Sequence, residues 1–108
     1  MCSSDLLFAY SRGPEYELRV DRVTVGTSGI TEVHTGTLRR VMTTPGYLSG
    51  DFHVHARGSP DSGVPGEQRV LAASGEGLDV LHSSDHDMLY DYDSVVDALV
   101  DRGWVPAN

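Results

Sequence analysis

From Asp51 onward the chain alternates strand-like and helix-like segments, and that alternation limits its architecture more than anything else in the sequence. "DFHVHA", residues 51–56, reads as a short apolar strand, and "RGSPDSGVPG", residues 57–66, as a loop. "GEQRVLAASGEG", residues 66–77, reads as a helix that turns Val70 and Leu71 towards a core and stops at Gly77. "LDVLHSSDHD", residues 78–87, is a nearly continuous apolar strand that ends in polar residues. "YDSVVDALVDRG", residues 92–103, places Val95, Val96, Leu99 and Val100 on one helical stripe; Asp93 or Ser94 would cap its start and Gly103 would end it. Strand, helix, strand, helix predicts an α/β unit with parallel strands and a right-handed crossover.

The N-terminal part has a different grammar. "YELRVDRVTV", residues 16–25, alternates Tyr16, Leu18 and Val20 against Glu17, Arg19 and Asp21, the pattern of a half-covered strand. "GTSG", residues 26–29, is a turn, and the Thr and Val content of residues 31–41 predicts a second, antiparallel strand. A Pro-Gly connector at 43–50 separates the two grammars. We therefore divide the chain into a β-rich segment, residues 1–47, and an α/β segment, residues 48–108. Residues 1–6, "MCSSDL", have no pattern in common with the rest of the chain. They read either as an assembly scar or as a frayed terminus, and are left out of the expected fold.

Composition narrows the function classes. The formal charge of -8 over 108 residues repels phosphate backbones and anionic lipid, which argues against nucleic-acid and membrane partners. With Cys2 as the one cysteine, neither a disulfide framework nor a cysteine-based zinc site is available. No apolar run approaches the length of a membrane span and no signal peptide is visible, which leaves the compartment open.

The chemistry concentrates at two strand ends. In "DFHVH" the residues Asp51, His53 and His55 share one face of a strand, so two imidazoles can bind one metal ion from the same side. "SSDHD" puts Asp85, His86 and Asp87 at the C-terminal end of the next strand. Parallel neighbours lie roughly 4.8 Å apart, so His55 and His86 open on the same sheet edge, where α/β proteins place their sites. Asp61, in the intervening loop, can fold over that edge. His53, His55, Asp61 and His86 are the predicted metal ligands, and Asp85 is expected to orient a ligand histidine.

"DFHVHARGSPDS" followed by "AASGEGLDVLHSSDHD" resembles the opening of a PHP (polymerase and histidinol phosphatase) domain, which starts with a His-x-His strand, an Asp- or His-bearing loop, a helix, and a strand ending in Thr-Asp-His. It is most similar to the CehA/McbA-type metallohydrolase subgroup, whose β-rich preceding region resembles "SRGPEYELRVDRVTV" and "LRRVMTTPGYLSG". The resemblance runs from about Tyr10 to the end of the chain.

The resemblance implies a distorted (β/α)7 barrel, of which this chain carries the first βαβα unit, preceded by a β-sandwich-like segment. It implies up to three divalent ions (Zn, Mn or Fe), with His53 and His55 on one and Asp61 and His86 on another. The implied reaction is hydrolysis of a small phosphoester, carbamate or related ester by metal-activated water. Ser84 stands where the family has Thr, and the family's later ligands, a bridging glutamate, further histidines and a final Asp-x-His, are missing. The expectation is therefore the N-terminal part of an enzyme, inactive by itself, with uncovered sheet edges that favour self-association. The alternative is a non-catalytic β-rich interaction module with a vestigial metal-binding tail.

The remaining conspicuous residues read as structural. His82 is expected to be a hydrogen-bonded interior residue, His34 a strand surface residue and Trp104 packing at a helix end. Residues 85–93 lack the spaced ligands of a calcium loop, and residues 58–66 lack a phosphate-loop pattern.

Overall fold

The computed structural model of the chain describes residues 4–26, 29, 31 and 33–106. It is a mixed α/β structure with the order β1 (Ser4–Tyr10), β2 (Arg19–Val25), β3 (Gly50–Val54), α1 (Gly66–Gly75), β4 (Val80–Ser83) and α2 (Asp93–Asp101). The strands form two two-stranded sheets, β1 with β2 and β3 with β4. The chain divides into two compact units, Met1–Thr43 and Thr44–Asn108.

In the first unit β1 and β2 pair antiparallel along their whole length, from Ser4 opposite Val25 to Tyr10 opposite Arg19. Two sequence expectations fail here. Ser4 to Leu6, expected to lie outside the fold, pair with Val25, Thr24 and Val23. The expected strand over 31–41 does not form among its described residues, which contribute only an isolated bridge between Arg40 and Tyr16. Thr and Val fit a pleated surface, but a strand also needs a sustained ladder, and here the pairing is short: the Glu17 N–H reaches Arg39 O at 3.0 Å and the Val41 N–H reaches Glu15 O at 2.8 Å. Among the described residues, the expected sandwich-like segment is one hairpin. Its better covered face carries Asp21, Val23 and Val25, whereas Leu18 and Val20 are 69% and 54% exposed. Among the described residues of this unit none is buried.

The second unit has the βαβα order read from the sequence. β3 and β4 are parallel, with Gly50 opposite Val80 and Val54 opposite Ser83. Three steps along β3, from Asp51 to Val54, match two along β4, so β3 bulges at Phe52 and His53. The local cause is the Asp51 carboxylate, which accepts the His53 N–H at 3.0 Å and competes with the ladder for it.

Both helices end in the same way. The Gly77 N–H reaches Ser74 O and the Leu78 N–H reaches Ala73 O, with Gly77 at φ 72°. The Gly103 and Trp104 N–H groups repeat the arrangement on Val100 O and Leu99 O, with Gly103 at φ 69°. At the start of α2 neither Asp93 nor Ser94 caps. The preceding Asp91 accepts the Asp93 N–H at 2.9 Å. The core is formed by Val70, Tyr92, Leu99 and Val105, with Leu71, Leu81, Val95, Val96 and Val100 packed against it. Trp104 is not packing: it is 59% exposed, with the Arg102 guanidinium 5.4 Å from its ring centre. No helix among the described residues is long and apolar enough to cross a membrane.

Candidate metal centre

The C-terminal end of β3 and the loop after β4 deliver His55 and His86, and the loop between β3 and α1 delivers Asp61. One ligand atom from each of His55, Asp61 and His86 lies within 4.8 Å of the others. His55 Nδ1 is 3.0 Å from both Asp61 carboxylate oxygens, and His86 Nε2 is 3.2 Å from Asp61 Oδ2. The His55 and His86 rings meet edge to face, 4.8 Å between centres. His53 stands beside this group, its ring centre 5.1 Å from that of His55, and is not one of the three converging residues.

Backbone geometry explains the convergence. The His55 carbonyl accepts from Arg69 Nε at 2.8 Å and from Ser62 Oγ at 3.0 Å, which ties the end of β3 to α1 and to the loop carrying Asp61. That loop is closed by Arg57 N–H to Val64 O, 2.8 Å, Ser59 N–H to Ala56 O, 2.9 Å, and Ser62 N–H to Ser59 O, 3.2 Å. The Ser84 N–H donates to Val54 O at 2.9 Å, which keeps the end of β4 beside the end of β3. Past His86 the chain turns sharply at Asp87, φ 56°, a left-handed conformation that Asp tolerates better than most residues.

Asp85 lies beneath the site. It is 9% exposed, its Oδ1 accepts the Ala56 N–H at 2.7 Å, and its Oδ2 accepts the Ser83 hydroxyl at 2.8 Å. Its carboxylate thus holds the backbone just after His55. His82 is exposed rather than interior, with its ring 6.4 Å from that of Phe52.

The Asp61 carboxyl is held well below the ordinary carboxylate range, first by the Ser59 hydroxyl and then by His55, against a smaller opposing effect of desolvation. It is therefore ionised at neutral pH, as a metal ligand must be. Two imidazoles and one carboxylate form a donor set suited to Zn and its neighbours, and three protein ligands are the number that leaves a coordination position for water. Asp61 and His86 are about half exposed, so the group is open to solvent, whereas the His55 side chain is 18% exposed.

Sequence reasoning missed Ser59, Ser62 and Arg69. Ser59 and Ser62 belong to a stretch that reads as loop. Arg69 occupies a helix position where a solvated arginine is the usual expectation, and helical spacing carries no sign that its guanidinium reaches back to a strand end.

A second histidine–carboxylate group lies in the first unit. His34, expected on a strand, lies outside any strand, with Nε2 3.1 Å from Asp21 Oδ2 and its ring stacked 6.2 Å from that of Phe8. Asp21 also accepts from the Tyr10 hydroxyl at 2.5 Å and from Arg19 Nε at 3.1 Å. It is one carboxylate saturated by its donors and offers no ligand set.

Comparison with protein-family models, with curated proteins and with solved structures returns no match for the chain.

Proposed function

We propose that residues 50–108 supply the first ligands of a divalent-metal hydrolase of the PHP type, with His55, Asp61 and His86 holding the ion and His53 joining from the same strand. The observation that carries this reading is the meeting of three ligand atoms from three separate segments within 4.8 Å. The His-x-His and Ser-Asp-His strand ends support the family, and the donor set fits Zn, Mn or Fe. A bound divalent ion there supplies Lewis acidity and an acidified water for hydrolysis of a small phosphoester, carbamate or related ester. The chain's own contributions are local. Asp61 stays ionised beside both imidazoles, Arg69 and Ser62 fix the His55 backbone, and Asp85 fixes Ala56 beside it.

The test is calorimetric titration of the chain with zinc and with manganese, alongside a His55→Ala/His86→Ala variant. Saturable binding with one dominant site, lost in the variant, is expected. Equal binding by both proteins, or none by the parent, would overturn the proposal.

A further inference from the structure

Ser59, in the loop that carries Asp61, is 3% exposed. Its Oγ accepts the His86 N–H at 3.1 Å. Asp61 lies two residues further on in the same turn, which the Ser62 N–H closes on Ser59 O at 3.2 Å. The residues it joins come from different elements: Asp61 from the loop after β3, His86 from the loop after β4. The backbone ties of the His55 carbonyl and of Asp85 reach the end of β3, and none of them connects Asp61 to His86.

We infer that Ser59 is a positioning residue for the metal centre, a buried clasp that ties the turn carrying Asp61 to the His86 backbone so that both residues are held at one ion. The inference rests on the proposed metal site and adds to it a residue that never touches the ion. Groups that orient ligands in this way are worth about 10- to 100-fold in metal affinity. A buried hydroxyl is suited to the role because it is screened from the competing water that surrounds Asp61.

The experiment is a cobalt(II) titration followed by visible absorption, on the parent chain and on Ser59→Ala, Ser59→Thr and Val70→Ala. Ser59→Ala is expected to bind about 10- to 100-fold more weakly and to show a changed cobalt spectrum at saturation, because one ligand is no longer held in place. Ser59→Thr keeps the hydroxyl and is expected within about threefold of the parent. Val70→Ala loosens the core away from the site and reports what general destabilisation does; its spectrum at saturation should match the parent's. Hydrogen exchange at the His86 amide, without metal, is expected to quicken in Ser59→Ala alone. Parent-like affinity and spectrum in Ser59→Ala would overturn the inference and leave the metal site standing. An equal loss in Val70→Ala would also overturn it. Absence of cobalt binding by the parent would overturn the metal reading and, with it, the clasp.

Discussion

Asp21 and Asp85 are both carboxylates with several donors, and their surroundings make them do different things. Asp21 is held at about 2 against an ordinary 3.8, chiefly by the Tyr10 hydroxyl and next by His34. A carboxyl lowered on folding stabilises the fold above its unfolded value, and that contribution disappears as pH falls through its folded value. The hairpin therefore loses the Asp21 contribution between pH 3.8 and about 2. Tyr10→Phe removes the leading donor and should raise the Asp21 midpoint towards the ordinary value, read from its carboxyl carbon shift by NMR; an unmoved midpoint would assign the effect elsewhere. Asp85 is buried, so its loss leaves the Ala56 N–H without its acceptor. Asp85→Ala should cost about 1–3 kcal/mol in urea unfolding and weaken metal binding through the displaced end of β3. At this scale the sequence is legible where a side chain's task follows from its type and the strand it ends. His55, Asp61 and His86 can be placed that way. Ser59 and Arg69 cannot, because what they bond to includes backbone, and backbone position is set by the fold.

Among the elements, α2 shows why the second unit is readable. Its stripe of Val95, Val96, Leu99 and Val100 repeats at helical spacing, and Leu99 reaches 1% exposure in the core. Leu99→Ala should destabilise the unit by about 2–5 kcal/mol, measured as the shift of the urea midpoint of helical circular dichroism. Gly77 and Gly103 are readable as stops because the left-handed turn that closes each helix favours glycine. The first unit is less readable for the converse reason. Residues 31–41 carry strand-forming residue types, but no local pattern says which segment will pair with β2, and pairing decides a strand. β1 escapes a reading that excludes residues 4–6 with the start of the chain, although Leu6 and Phe8 alternate with Leu7 along the strand that forms.

Over the whole molecule, burial is uneven between the units. The second has a contiguous core around Leu99, whereas the first has no buried residue among those described. A two-stranded hairpin is marginal in water. Native-state hydrogen exchange should therefore release the amides of β1 and β2 well before those of α1 and α2; equal protection in both units would contradict this ordering. The central claim is that the α/β unit gathers His55 and His86, with His53 beside them, around Asp61 to take a divalent ion. The most direct test is the ring-nitrogen NMR spectrum of the five histidines during addition of zinc. Large shifts are expected at His55 and His86, a change at His53, and none at His34, which is engaged with Asp21, or at His82, which lies beside Phe52. Equal shifts at all five, or no shift at His55 and His86 at saturating zinc, would contradict the claim.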